Sequence, residues 1–286
     1  MGNLTLIAFI DGSAHTSTLC GYAAQLARGS NASIKLYHIL ERSTEPNKND
    51  LSGALNLGAR TKLMDQLVSE GEQKSKPALL QGRKVVENAK KALEELGCSN
   101  VELRLRTGDI AVSLKNKEAG GDLILIGKRG VKSSEKKHKI GDNFERIVRA
   151  STKPIFVSNS IFKEINHVLV AYDGSSPSIR VLECLLSGSI FGKLAISILG
   201  VSKTTNDWWG QEQKLFIMNL NKNDWPINFV GAVGDPKEQI MKHLDQEKYD
   251  MLAIGAYGHS KLRNLLIGST TSALIHASPV PVLLSK

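Results

Sequence analysis

At 286 residues, with 41% hydrophobic and 23% charged side chains, the chain has room for one large domain or two of ordinary size. No apolar run nears the ~18 residues that a membrane span requires, and the opening run Leu4-Thr5-Leu6-Ile7-Ala8-Phe9-Ile10 reads as a strand without the basic region and cleavage site of a signal peptide. A cytoplasmic protein without a membrane partner is the expectation.

The net charge of +9 is uneven, with 25 Lys/Arg against 17 Asp/Glu in residues 1–162 and 12 against 11 in residues 163–286. Such a bias permits an anionic partner for the first half. The cluster Lys128, Arg129, Lys132, Lys136, Lys137 and Lys139 supplies much of it. It carries no interleaved aromatics and matches no nucleic-acid module, so it reads as a solvated basic loop. Cys20, Cys98 and Cys184 form no Cys-x-x-Cys pair and read as reduced, buried thiols.

In chain order, short β-branched runs at 4–10, 33–40, 101–106, 122–127 and 154–158 have the look of buried strands. Helical patterns lie between them near 15–29, 58–97, 109–120 and 142–150. Gly71, Pro77 and Gly82 fall inside the 58–97 stretch, which predicts two helices or one broken helix. After a polar connection near 160–164 the pattern starts again. Strands are expected near 167–172, 193–201, 227–231, 250–255 and 280–284, and helices near 176–187, 208–223, 236–248 and 269–277.

The two series are copies. Leu6-Ile7-Ala8-Phe9-Ile10-Asp11-Gly12-Ser13 returns as Val168-Leu169-Val170-Ala171-Tyr172-Asp173-Gly174-Ser175, and Thr107-Gly108-Asp109 returns as Val233-Gly234-Asp235. Asp122-Leu123-Ile124-Leu125-Ile126-Gly127 returns as Asp250-Met251-Leu252-Ala253-Ile254-Gly255. The offset falls from 162 to 126–128 between these matches. The first copy therefore carries an insertion, placed at about 41–80. Two domains follow, 1–160 and 163–286, each an α/β unit with a five-stranded parallel sheet and helices on both faces. With strand order 3-2-1-4-5, assumed here, strands one and four are neighbours where the winding reverses, and ligands bind beyond their carboxyl ends.

The repeated polar residues stand at those ends: Asp11 and Asp173 after the first strands, Gly127 and Gly255 after the fourth. In copy two Gly255-Ala256-Tyr257-Gly258 is followed nine residues later by Gly268-Ser269-Thr270, which opens a helix. Glycines let backbone approach a ligand without a Cβ. A helix start offers unpaired N–H groups and a positive dipole end to phosphate oxygens. The plain alternative is a loop shaped by its glycines and a helix capped by Ser269.

Gly-x2-Gly-x9-Gly-Ser/Thr after the fourth strand, with Asp ending the first, resembles the universal stress protein family over nearly the whole chain, twice. The resemblance implies an adenine nucleotide, ATP or AMP/ADP with or without Mg2+. Gly255, Gly258, Gly268, Ser269 and Thr270 would then hold phosphates and ribose. Asp173 would lie near the adenosine end, Val201 would contact adenine, and Gly234 would line the same crevice. It also implies that the two copies pair as an internal pseudo-dimer, and the expected seam is the last strand of each, 154–158 and 281–284, because edge strands invite pairing; a homodimer of whole chains stays open.

Copy one departs from the pattern. Gly127 and Gly130 are followed by ten residues before Gly141, and Asp142 replaces the hydroxyl residue. A carboxylate ~5 Å from a phosphate costs roughly 3 kcal/mol per unit charge at an effective dielectric near 20. Asp11, Gly127, Gly130 and Gly141 therefore read as a degenerate second site.

No P-loop, nucleophile elbow or metal-spaced histidine set is present. No catalytic residue and no resident metal is expected. A nucleotide-responsive binding module, with slow ATP hydrolysis as its limit, is the first reading. A scaffold or apolar-ligand protein is its rival, built on Trp208, Trp209 and Trp225 and on the insertion; core packing is the plainer role for those tryptophans.

Overall fold

The computed structural model describes residues 4–40, 57–115, 120–128, 142–204, 209–246, 248–256 and 269–286. The first half runs β1 (Thr5–Ile10), α1 (His15–Ser30), β2 (Ser33–Leu40), α2 (Leu57–Glu95), β3 (Val101–Thr107), α3 (Ile110–Lys115), β4 (Leu123–Gly127), α4 (Asp142–Ala150) and β5 (Ile155–Ser158). The second runs β6 (His167–Ala171), α5 (Ser176–Leu186), β7 (Ala195–Ser202), α6 (Gln211–Leu220), β8 (Ile227–Val233), α7 (Pro236–Gln246), β9 (Met251–Gly255), α8 (Ser269–Ala277) and β10 (Val282–Ser285).

Among the described residues ten strands form one open sheet in the order β3-β2-β1-β4-β5-β10-β9-β6-β7-β8. Each half has the expected 3-2-1-4-5 order with parallel neighbours, and the halves meet where β5 and β10 pair antiparallel, Phe156 opposite Leu283. That one antiparallel pair has a geometric consequence: the carboxyl ends of the two parallel sets face opposite edges of the common sheet.

Alternation within strands sorts the core into two layers. Leu6, Ala8 and Ile10 face α1 and α2, in the same layer as Val181 and Leu185 of α5 and Ile217 of α6. Ile7 and Phe9 face the other way, in the layer of Leu114 of α3, Phe144 of α4, Leu244 of α7 and Ile275 of α8.

One expectation is corrected. The 57–95 stretch is a single helix with Pro77 inside it, not two helices. An interior proline removes an N–H and crowds the preceding turn at a cost of ~3 kcal/mol. Pro77 itself and residues 76–80 are exposed, where water can take the place of a lost backbone bond. Gly82 has a packing reason: a Cβ there would lie 2.9 Å from Leu105 Cδ1 and 3.2 Å from His38 Cδ2. Residues 41–56 of the insertion lie outside the described residues.

Each copy has the same lock at the amino ends of its own strands, away from its own crevice. Asp122 Oδ2 accepts from Thr5 N at 2.8 Å, and Asp250 Oδ2 accepts from His167 N at 3.0 Å, each carboxylate preceding one strand and holding the start of its neighbour. Burial alone would raise the Asp250 carboxyl. The Lys163 ammonium and the N–H groups of His167 and Asn166 outweigh it and hold the group below its ordinary value. The connection between halves lies along α1. Tyr22 Oη donates to Asn159 Oδ1 at 2.8 Å, Gln25 exchanges bonds with Ile165 N and O, and Thr18 Oγ1 donates to Ser160 O.

Candidate functional site at the carboxyl edge of the second half

Register brings the second-copy candidates together. Ala171 of β6 lies opposite both Leu199 of β7 and Ile254 of β9, so Asp173, Val201 and Gly255 emerge on adjacent strands, about 4.8 Å apart per strand. Val201 pairs with Ala232, and Gly234 N donates to Ser202 O at 2.9 Å, which places the Gly234 turn beside them. α8 leads from β9 to the parallel strand β10. A crossover helix runs against its strands, so its first turn, Ser269 and exposed Thr270, comes at the same edge. Gly258 and Gly268 lie outside the described residues, as do Gly130 and Gly141.

The Asp-Gly-Ser turns are built alike in both halves. Asp11 Oδ1 accepts from Ser13 N and Asp173 Oδ1 from Ser175 N, each at 3.0 Å. Gly12 and Gly174 take φ of 78° and 76°, the left-handed region that favours glycine. Part of each carboxylate therefore holds its own turn. In the second half Ser175 then caps α5, its Oγ accepting from Ser178 N.

The surroundings of the two turns differ. A Cβ at Gly174 would meet nothing within 4 Å among the described residues, whereas a Cβ at Gly12 would lie 2.8 Å from Val85 Cγ2 of α2. Helix α2 therefore lies against the first turn, and no described residue takes that place at its counterpart. The first half has a further closure: Arg146 of α4 pairs with Asp109, whose carboxylate also accepts from Ala111 N and Val112 N. At the corresponding places of the second half stand Asp235, which accepts from Glu238 N, and Ala273. Asp11 follows β1 and Gly127 ends its neighbour β4, with Val85 against the Gly12 turn and Arg146 paired with Asp109.

Neither Arg146 nor Val85 was among the expected site residues. Both act through contacts between elements distant in sequence, which spacing does not show. Gly255 has a role that the motif did not reveal. A Cβ there would lie 2.7 Å from Ser178 N and 2.9 Å from Pro177 C, so the first turn of α5 packs directly on the end of β9.

Trp209 belongs to the core. It is 7% exposed, stacks on Tyr172 at 5.7 Å, meets Phe229 edge-on at 4.9 Å, and donates from Nε1 to Val230 O at 2.8 Å. Trp225 packs beside Gly188 and against the same core layer, and Trp208 lies outside the described residues. Burial pushes the Cys20 and Cys184 thiols up to about 12, so neither is a ready nucleophile. Among the described residues, no group of three or more His, Cys, Asp or Glu could hold a metal ion, and no helix is long and apolar enough to cross a membrane.

Comparison with known proteins agrees with this architecture. The universal stress protein family model matches residues 4–159 and 220–286. Universal stress protein Slr1230 of Synechocystis is 31% identical over 280 residues, covering 96% of each chain. Universal stress protein MJ0577 of Methanocaldococcus jannaschii is 28% identical over 104 residues, 32% of this chain and 64% of that one. The crystal structure of a universal stress protein from Archaeoglobus fulgidus superimposes with a TM-score of 0.67 at 21% identity, covering 99% of this chain and 98% of the other.

Proposed function

The chain belongs to the universal stress protein family, and on that premise we propose that it binds ATP, or another adenine nucleotide, in its second half and acts as a nucleotide-responsive binding module. The observation that carries this reading is the contrast between the two Asp-Gly-Ser turns: a Cβ at Gly174 would meet no described residue within 4 Å, while one at Gly12 would meet Val85. The proposal treats residues 163–286 as the nucleotide-bearing domain and residues 1–160 as a domain whose own crevice is bridged by Arg146 and Asp109.

The residues fit the group in kind. The phosphates would take the N–H groups and positive end of α8, with Gly258 and Gly268 shaping the turn and Ser269 and Thr270 adding hydroxyl donors. Asp173 would face the adenosine end, Val201 would give adenine an apolar contact, and Gly234 would leave room beside it. Gly255 would act indirectly, by letting α5 approach and hold the Asp173 turn. Mg2+, if present, would be held through the phosphates, which supply the hard oxygen ligands that it prefers. No general base is assigned, so slow hydrolysis is the upper limit of the chemistry proposed.

Calorimetric titration of Gly268→Val and Ser269→Asp tests the site. A carboxylate ~5 Å from a phosphate costs roughly 3 kcal/mol, about a hundredfold in affinity before salt screening. A loss of tenfold or more is expected in Ser269→Asp. ATP binding unchanged in both variants would remove the site assignment.

A further inference from the structure

Among the described residues the sheet ends on two outer strands, β3 and β8, and they are unlike. β3 carries Glu102, Arg104 and Arg106, the charged guard that natural edge strands use against pairing. β8, Ile227-Asn228-Phe229-Val230-Gly231-Ala232-Val233, carries no charge and no proline.

Its hydrogen-bonding parity can be worked out. Ile196 N donates to Pro226 O at the start of the β7–β8 ladder, and Gly234 N donates to Ser202 O at its end. In a parallel ladder, alternate residues face the partner. The even-numbered residues therefore turn N–H and C=O towards β7, and Ile227, Phe229, Gly231 and Val233 turn theirs outward.

We propose that β8 is a self-association edge, on which a second copy of this chain pairs its own β8 antiparallel about a two-fold axis. The sequence is self-complementary in one register. With Val230 opposite Val230, Ile227 meets Val233 and Phe229 meets Gly231, and all four outward residues exchange both backbone bonds.

The side chains agree with that register. Ile227 and Phe229 lie on the α6 side of the sheet, where Phe229 packs edge-on against Trp209. Across the axis each Phe229 faces a glycine, the pairing in which an aromatic ring covers an otherwise bare edge position. Val233, 37% exposed, would be covered by the Ile227 of the other copy. α6 adds apolar surface on the same layer: Leu215, Phe216 and Met218 are 57%, 40% and 47% exposed, while Ile217 alone of that run is buried. The molecule already joins its halves by an uncharged antiparallel pair, β5 with β10, so the outer pairing repeats the way its sheet was extended. This inference is independent of nucleotide binding.

Sedimentation velocity across a concentration series tests it. The wild-type chain is expected to be a dimer. Gly231→Pro removes only an outward N–H and leaves the β7 ladder intact, since proline is tolerated at such edge positions. Val233→Lys adds a charge at an exposed outward position. Each should raise the dimer dissociation constant at least about a hundredfold, with thermal stability of the chain and its ATP affinity unchanged. Val230→Cys should cross-link between copies on mild oxidation, because the facing Cα atoms of a non-hydrogen-bonded pair stand ~4.5 Å apart, within disulfide reach. A monomeric wild type at ~100 µM would overturn the proposal, since that concentration exceeds the dissociation constants of stable dimers. So would a dimer that survives both Gly231→Pro and Val233→Lys.

Discussion

Gly255→Ala separates a packing glycine from a ligand-approach glycine. The new Cβ would lie 2.7 Å from Ser178 N and 2.9 Å from both Pro177 C and Pro177 Cβ. Two of those three atoms are backbone, so no rotamer change relieves the contact. The first turn of α5 is also held in place: Ser178 N donates to Ser175 Oγ, and Ile179 N donates to Ser175 O at 3.0 Å. Helix α5 must therefore retreat as a body, lifting Val181, Leu182 and Leu185, each fully buried, from the sheet. Forcing a methyl into such packing costs about 1–3 kcal/mol. At about 2–4 °C per kcal/mol for a chain of this size class, Tm should fall by roughly 2–12 °C. Differential scanning calorimetry without nucleotide is the assay. Gly174→Ala is the comparison: its Cβ would meet no described residue within 4 Å and its φ is 76°, so the left-handed strain of about 1–2 kcal/mol is its expected cost. A Gly255→Ala chain that melts with the wild type yet loses ATP affinity would refute the packing argument and return Gly255 to the ligand.

Two further outcomes concern the Asp250 lock and the buried Trp209. Asp250→Asn should lower Tm at pH 7, since the carboxylate serves His167 N, Asn166 N and Lys163 at once. Because the folded group sits below its ordinary value, its contribution is complete above about pH 4 and is lost as pH falls through the folded value. The acid limb of a Tm–pH profile should therefore be shallower in the variant, and an unchanged limb would contradict the lock. Trp209→Ala should cost about 3–5 kcal/mol, read as a lower urea midpoint, because the ring is sandwiched between Tyr172 and Phe229. If it instead keeps stability and changes only ligand affinity, the indole lines a binding groove.

Much of the fold was legible because the chain states it twice. Strand runs, the repeat and the seam between the last strands all follow from patterns local to each copy or shared between them, and β5 pairs with β10 where uncharged edges invite it. The strand order was an assumption in the sequence, since order is a matter of which distant runs meet; pairing of β1 with β4 and of β6 with β9 supplies it. The site was legible in part. Asp173 and the start of α8 are placed at one edge by topology, and topology follows from alternation.

What escaped were contacts between elements. Val85 reaches Gly12 from α2, a helix whose proline argued for a break. Arg146 reaches Asp109 from a different helix. Gly255 looks like a phosphate-loop glycine by motif, yet its missing Cβ is used by Pro177 and Ser178. A residue pattern cannot distinguish space left for a ligand from space filled by a neighbouring helix.

The stoichiometry of ATP binding bears most directly on the claim that the second crevice is open and the first is closed. Titration calorimetry on the wild-type chain should give about one nucleotide per chain, lost in Ser269→Asp and retained in Asp11→Ala. Two equivalent sites per chain, or a single site abolished by Asp11→Ala and indifferent to Ser269→Asp, would contradict it.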